Sequence, residues 1–319
     1  MLARTLWLIA ALFLLAACSD VRPVAKIGLI APFEGLYRST GYAALEQTRA
    51  AIAGAPAGQA ALIPLALDDS AAPQRSLRAA QKLLVDPTVK AIVGPLAPAQ
   101  GAAAGAAIRG AGVPWIAPYA VDPAGGFADP AVSDAWATGL VAAAGSAARG
   151  QGAQVLVLAG DDTGWPALSS EEWTTVAGMP AVRLAGNVGD LAALAGDEAI
   201  FWLGAPDAAA DFINLLRPVY PDMPVWIGLG GSDPVLTERA NIDRKLYWLA
   251  WSNSLYNGWA AQHTSPTPEA FLVYQATQAA IDAVRGAATS TVPWHVELFE
   301  YGPDGVSRPF IPGQAGAVD

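Results

Sequence analysis

The chain has 319 residues, of which 53% are hydrophobic and 14% are charged, and its formal net charge at pH 7 is −10. This composition is typical of a packed globular protein and excludes a disordered one. The acidic balance argues against nucleic acid as a partner, because nucleic-acid binding depends on clustered Lys and Arg.

The first residues have the layout of a secretory signal. Arg4 supplies a positive charge, and residues 6–17 form an apolar run that is too short for a membrane-spanning helix. Residues 15–18 read LAAC, which resembles a lipobox, the motif whose cysteine thiol receives a diacylglycerol. Cys18 is the sole cysteine of the chain, and the alternative is a plain signal peptide with an incidental thiol. We therefore expect residues 1–18 to be a lipoprotein signal peptide and the mature protein to lie outside the cytoplasmic membrane, attached by lipid alone.

Short apolar strands alternate with helical stretches along the rest of the chain. Strands are predicted at 26–31, 62–67, 90–94, 113–117, 154–159, 198–203, 225–229, 246–250 and 294–301. Helices are predicted around 43–52, 73–84, 133–149, 207–217, 234–240 and 269–285, with an Ala- and Gly-rich one after residue 94. This alternation predicts an α/β protein with mostly parallel sheets flanked by helices. The Gly-Pro-Asp-Gly segment at 302–305 predicts a hairpin at the end.

Two polar stretches, 118–130 and 252–268, interrupt the pattern and are expected to cross between two lobes. A cleft should lie between such lobes, and in open α/β sheets ligands bind beyond the carboxyl ends of the strands. The loops to consider are therefore 32–40, 68–70, 94–100, 118–122, 161–165 and 204–207.

No catalytic or metal-binding motif is recognisable. His263 and His295 are the only histidines, and they lack a partner at metal-ligand spacing. No nucleophile elbow, P-loop or dinucleotide-binding glycine motif is present. The carboxylate pairs at 68–69 and 161–162 could be an acid and a base, but we interpret them as helix caps and solvated loop residues. We therefore expect that the protein is not an enzyme and that it binds neither a cofactor nor a metal ion.

Several segments resemble type 1 solute-binding proteins of the leucine/isoleucine/valine-binding kind. Residues 26–52 read KIGLIAPFEGLYRSTGYAALEQTRAAI, like the first strand, loop and helix of that family. VKAIVGP at 89–95 and GVPWIAP at 112–118 resemble its later units, and QVLVLAGDDTGW at 154–165 and VWIGLGGSD at 225–233 fit more loosely.

The resemblance implies a two-lobed periplasmic-binding-protein-like type I clamshell. We expect one lobe from 24–120 and 252–287, and the other from 121–251 and 288–316. It further implies a monomer that closes around a small polar ligand, such as an amino acid or a related compound, and delivers it to an ABC permease.

This sequence departs from the amino-acid binders of that family at the positions where hydroxyls hold the ligand. Pro98 and Val121 stand in those stretches and carry no hydroxyl. Near 230–233, where a carboxylate is expected to meet the ammonium group, only Asp233 can serve.

The candidate ligand-binding side chains lie in the loops expected at the cleft. Tyr37 and Tyr119 can stack or hydrogen-bond, Arg38 can pair with an anion, and Ser39 and Thr40 precede a helix where backbone N–H groups favour anions. The alternative for Ser39 and Thr40 is a helix cap in a solvated loop. The remaining candidates are Asp69, Gln100, Asp162, Trp165 and Asp233.

Three functions remain open at this point. The first is a lipid-anchored solute receptor for an ABC importer. The second is a non-transport lipoprotein on the same fold, acting as a sensor or as a regulator of a protein partner, and it gains weight from the missing hydroxyls. The third, a surface hydrolase, lacks a catalytic set. Likeness of fold does not by itself decide between them.

Overall fold

The protein is described by a computed structural model that covers residues 22–160, 164–185, 194–242, 245–288 and 291–311. Within these ranges, every helix is too short or too polar to cross a membrane.

Apart from β6, the strands follow one another in the predicted order. They are β1 Val24–Ala31, β2 Ala61–Asp68, β3 Val89–Val93, β4 Trp115–Ile116, β5 Val155–Ala159, β6 Ala181–Ala185, β7 Glu198–Trp202, β8 Val225–Ile227, β9 Leu246–Asn253, β10 Trp294–Tyr301 and β11 Ser307–Pro309.

The helices lie between them. They are α1 Arg38–Gly54, α2 Pro73–Val85, α3 Pro98–Gly110, α4 Ala135–Gly150, α5 Ser170–Ala177, α6 Pro206–Leu216, α7 Pro234–Arg239, α8 Tyr256–Ala260 and α9 Pro268–Arg285. Five of them carry a proline in the first turn, where its fixed φ suits a helix and its missing N–H costs no bond.

The strands form two sheets, one in each lobe. The first has the order β2-β1-β3-β4 and is parallel, and the second has the order β11-β10-β9-β8-β7-β5-β6. In the second sheet β10 runs antiparallel to both β9 and β11, while the other strands are parallel. The predicted α/β class with mostly parallel sheets is therefore confirmed.

Helix α9 packs against the first sheet, although in sequence it follows the strands β5 to β9 of the second sheet. It packs on α1 and on β3. Ala276 and Ala280 of this helix share a buried core with Ile27, Leu29 and Val93 of the first sheet. The chain thus passes from the first sheet to the second after β4, returns to the first sheet with α9 and joins the second sheet again at β10.

Some elements differ from the prediction. The helix expected to be capped by Ser133 begins at Ala135, with Asp134 at its N-cap. Helix α5 was not predicted, although Ser169 and Glu172 form a capping box whose S-x-x-E spacing is a recognisable signal. Strand β6 was also not predicted, and the polar stretch from residue 252 contains the end of β9 and the short helix α8.

Candidate functional site

The carboxyl ends of both sheets face each other, and loops of the first lobe form one wall of the resulting cleft. Asp68, at the end of β2, organises the loop before α1 by accepting hydrogen bonds from the backbone N–H groups of Phe33 at 2.7 Å and Glu34 at 3.0 Å. It also accepts from the hydroxyl of Ser70 at 2.6 Å. Desolvation acts to raise the pKa of Asp68, but these hydrogen bonds hold it below its usual value.

Asp69 is turned into the first lobe. It is 1% exposed, and it accepts from the hydroxyl of Ser76 at 2.7 Å and the backbone N–H of Ala71 at 2.9 Å. Burial raises the pKa of this carboxyl. Gln100 lies beside the same loop, where its side-chain amide donates to the carbonyl of Ala71 at 2.6 Å. Asp68, Asp69 and Gln100 therefore hold the shape of the wall.

Two side chains from the start of α1 cross the cleft and bond to the second lobe. The hydroxyl of Tyr37 donates to Asp207 Oδ1 at 2.5 Å and accepts from the backbone N–H of Asp207 at 3.1 Å. The hydroxyl of Thr40 donates to Asp233 Oδ2. Asp207 lies in the first turn of α6 and Asp233 caps α7 by accepting from Val235 N–H at 2.9 Å. Each lobe thus supplies one half of a shared hydrogen-bonded contact.

A third contact joins the loop before α7 to the first turn of α9. Ser232 donates from its hydroxyl to Glu269, and Tyr301 on β10 donates to the backbone carbonyl of Gly231 in the same loop. Burial raises the pKa of Glu269 and of Asp233, and nearby carboxylates raise both further. The inner part of the cleft is therefore acidic and poorly solvated.

Aromatic side chains fill the adjoining part of the cleft. Tyr119 packs edge-on against Trp136 with ring centroids 5.1 Å apart, Trp136 lies 4.9 Å from Trp165, and Trp165 lies 5.9 Å from Phe201. All four are at most 9% exposed. The indole N–H groups of Trp136 and Trp165 are buried without a hydrogen-bond partner, which is uncommon for a buried indole.

The backbones of the two lobes touch beside these rings. A Cβ atom placed on Gly164 would lie 2.1 Å from the carbonyl carbon of Pro98 and 2.4 Å from the nitrogen of Ala99. Only glycine allows such a close approach between the segment before Trp165 and the first turn of α3.

The ligand-binding residues predicted from the sequence lie in different parts of the structure. Tyr37, Thr40 and Asp233 come together, and Tyr119 and Trp165 lie in the aromatic cluster. Arg38 and Ser39 are exposed on the first turn of α1. Asp162 and the predicted lipidation site Cys18 lie outside the described residues.

Three residues of the site were not among the candidates predicted from the sequence. Asp207 lies in the loop 204–207 that the strand ends pointed to, but the hydrogen bond to Tyr37 had no local signal. Glu269 and Trp136 lie in helices that showed only an apolar pattern.

The part of the chain that the structure describes contains no group of three His, Cys, Asp or Glu side chains that could hold a metal ion. His263 stacks on Trp259 with centroids 4.3 Å apart, and His295 is exposed beside Glu297.

A family model described as periplasmic binding protein matches residues 24–213, which is more than half of the chain. The chain belongs to this family. Its two lobes, its parallel sheets and its interlobe cleft are those of a type I periplasmic binding protein, so the resemblance found in the sequence and the predicted clamshell are confirmed.

Solved structures agree with this assignment. The leucine-binding protein LivK from Thermotoga maritima is 17% identical, with a TM-score of 0.69, and the match covers 90% of this chain and 98% of that one. A possible leucine/isoleucine/valine-binding protein from Rhodopirellula baltica is 12% identical, with a TM-score of 0.68 and coverages of 93% and 98%. The branched-chain amino acid transporter substrate-binding protein LivJ from Streptococcus pneumoniae, in complex with isoleucine, is 16% identical, with a TM-score of 0.61 and coverages of 90% and 99%. These likenesses concern the fold. No curated protein matches the chain.

Proposed function

We propose that this periplasmic binding protein is a solute receptor that captures a small polar ligand between its lobes and delivers it to an ABC importer. The observation that carries the proposal is the meeting of Tyr37 and Thr40 with Asp207 and Asp233 across the cleft. Polar side chains from both lobes converge there, so a ligand bound between them would contact both lobes at once and favour closure.

Lobe boundaries matter for such a closure. We propose lobes of 24–120 with 252–287 and of 121–251 with 288–316. The membership of the two sheets and the packing of α9 on the first sheet support this division.

The proposal includes a lipid anchor at Cys18 and a permease partner in the cytoplasmic membrane. Support for the anchor is the LAAC sequence at 15–18, and support for the partner is the family, whose members are extracytoplasmic receptors. A receptor tethered by lipid stays beside its permease, and a monomer suffices for this task.

The second candidate function is a non-transport lipoprotein that senses a signal or regulates a protein partner. It is favoured by the buried rings of Tyr119, Trp136 and Trp165, because these side chains occupy space in the cleft that a ligand would need. In that case the lobes would stay closed and an outer surface would carry the function.

Thermal unfolding of the mature protein, from Ser19 onward, tests the two candidates. The panel contains amino acids, short peptides, amides, amines, purines and small carboxylates. A bound ligand at about 100 times its Kd stabilises the folded state by roughly 2.7 kcal/mol, which raises the Tm by a few degrees. Tyr37→Ala should abolish that shift, whereas Tyr42→Ala, at an exposed position on α1, should keep it. A panel without any response would favour the regulator.

A further inference from the structure

Three carboxylates lie where the two lobes meet, and none of them is paired with a base among the residues that the structure describes. Asp207 and Asp233 bond to the hydroxyls of Tyr37 and Thr40, and Glu269 bonds to Ser232. Among the described residues, no Lys, Arg or His nitrogen lies within 4.0 Å of these three carboxylates. Arg38, which follows Tyr37 in the chain, is exposed. The inner cleft therefore carries negative charge that no side-chain cation of the described residues neutralises and that the helix N-termini beside the three acids offset only in part.

The places where this cleft would hold an anion are already taken. Backbone N–H groups at a helix N-terminus favour anions, and α1 and α3 both begin at the cleft. The first turn of α1 faces Asp207 and Asp233. The first turn of α3 is covered by Gly164. A Cβ atom placed on Gly164 would lie 2.1 Å from the carbonyl carbon of Pro98. The N-termini of α6, α7 and α9 already carry Asp207, Asp233 and Glu269. A ligand carboxylate would therefore meet helix ends that face acids or that are closed by backbone.

The aromatic cluster reaches the loop that leads to Asp233, and its rings also suit a positive charge. A Cβ atom on Gly228 would lie 3.2 Å from the Trp165 ring, and Gly228 begins the loop that carries Asp233. A cation over an aromatic face is attracted to the ring quadrupole, most strongly where water is excluded. Burial raises the pKa of Asp233 and of Glu269; the charge of Asp207 raises the first further and the charge of Asp233 raises the second. A bound cation would relieve this repulsion.

We propose that the ligand is a small organic amine cation without a carboxylate. Its ammonium N–H groups would donate to the carboxylates of Asp207 and Asp233, beside the hydroxyls of Tyr37 and Thr40 that donate to the same groups. The inference rests on the proposed receptor function and adds the charge of the ligand. The fold and the family place the ligand-binding site in the cleft. The three carboxylates bear only on the charge of the ligand that binds there.

Leucine and two analogues that each lack one of its charged groups test the contributions of the ammonium and the carboxylate separately. Isothermal titration of the mature protein compares leucine, 3-methylbutylamine, which lacks the carboxylate, and 4-methylpentanoate, which lacks the ammonium. Putrescine and choline extend the series, since choline keeps the charge but has no N–H donor. We expect the amines to bind, leucine and 4-methylpentanoate not to bind, and choline to bind more weakly than the primary amines.

Variants locate the binding at the acids. Asp207→Asn and Asp233→Asn should each weaken amine binding at least about tenfold, and Asn also caps helices well, so α7 should persist in the second variant. Glu46→Gln, at an exposed position on α1, is the control and should leave the Kd unchanged. Circular dichroism checks that each variant is folded.

The outcomes separate this inference from the receptor function. If leucine, 4-methylpentanoate or another carboxylate binds and the amines do not, the amine assignment is wrong and the receptor function stands. Amine binding that survives both Asn substitutions also overturns it. If no compound of the broader panel binds, both proposals fall together.

Discussion

The phenolic oxygen of Tyr37 lies 2.5 Å from a carboxylate oxygen of Asp207, which belongs to the opposite lobe. The same oxygen accepts from the backbone N–H of Asp207, so one side chain satisfies both a donor and an acceptor across the cleft. Burial and the hydrogen bond to Asp207 raise the pKa of Tyr37 beyond its ordinary value. The phenol is therefore protonated at neutral pH and acts there as a donor that ties the lobes together.

Replacing Tyr37 by Phe removes this tie while keeping the ring. We expect the free energy of unfolding to fall by about 1–2 kcal/mol, because the Asp207 carboxylate loses a charge-assisted hydrogen bond in a partly buried place. Urea unfolding measures the change. Tyr42→Phe, at a 59% exposed ring on the same helix, is the matched control. Equal stability of the two variants would show that the contact with Asp207 contributes nothing to closure.

Replacing Thr40 by Val keeps the shape of the side chain and removes its hydroxyl. Asp233 is 7% exposed and would then keep only the bond from Val235 N–H on its carboxylate. We expect a loss of about 1–3 kcal/mol, the cost of a buried acceptor left with too few donors. The exposed neighbour Ser39 supplies the control, because Ser39→Ala should stay within about 0.5 kcal/mol of the parent in the same urea experiment. A Thr40→Val protein as stable as Ser39→Ala would contradict the expectation.

The order of strands and helices was largely predictable because most strands are continuous apolar runs and most helices start at a proline or a cap. Ile27, Ile92 and Ile200 lie in such runs and are fully buried. The capping box of α5 was a readable signal, but its helix has only 8 residues, too few for a clear periodic pattern. Strand β6 has exposed and half-buried positions at the sheet edge, so its run is interrupted.

The contacts across the cleft were less predictable than the loops that carry them. The strand ends pointed to the loops of Tyr37, Asp207 and Trp165. Which of their side chains meet depends on the relative orientation of two lobes, and Tyr37 and Asp207 are 170 residues apart. Trp136 lies in an Ala-rich helix and shows its role only when α4 packs beside Trp165. Local patterns encode elements, whereas such pairs come from the tertiary arrangement.

Glu269 should make stability depend on pH in a defined direction. Burial raises the pKa of this carboxyl above its ordinary value of 4.5, so the folded protein binds its proton more tightly than the unfolded chain does. The resulting stabilisation is complete below the unfolded pKa and is lost as pH rises through the folded pKa. Lowering the pH from about 7 to about 5 should therefore raise the contribution of this group.

Glu269→Gln isolates that contribution. Gln still accepts from Ser232 but does not titrate, so the Tm of the variant should change less than that of the parent between about pH 7 and about pH 5. Calorimetric scans at both pH values give the difference, and Glu46→Gln controls for the loss of an exposed charge on α1. Asp68 and Asp86 have lowered pKa values and affect stability only at lower pH. Identical pH dependence of Glu269→Gln and the parent would show that Glu269 is not the group responsible.

Cys18→Ser tests the anchor without touching the folded lobes. We expect the lipid label to be lost and the protein to leave the membrane fraction, because lipid is the sole attachment that the proposal allows. Metabolic labelling with a fatty acid, followed by fractionation, measures both effects. Ser19→Ala keeps the cysteine and should stay labelled. A Cys18→Ser protein that remains in the membrane fraction would mean that another segment holds it there.

Gly164→Ala should hold the lobes apart. The added Cβ would lie 2.1 Å from the carbonyl carbon of Pro98 and 2.4 Å from the nitrogen of Ala99, and both are backbone atoms that cannot swing away as a side-chain tip can. The least costly relief is a small opening of the cleft, since three of the buried cores each lie within one lobe and would not be disturbed. We expect a larger radius of gyration in small-angle X-ray scattering and a ligand affinity lowered by about tenfold or more. The unfolding midpoint should also fall, because an opened cleft loses the hydrogen bonds of Tyr37 and Thr40 to the second lobe. Gly150→Ala, where a Cβ would meet nothing within 4 Å, is the control. If Gly164→Ala scatters like the parent and binds ligand as well, the approach of Gly164 to α3 is not what limits closure.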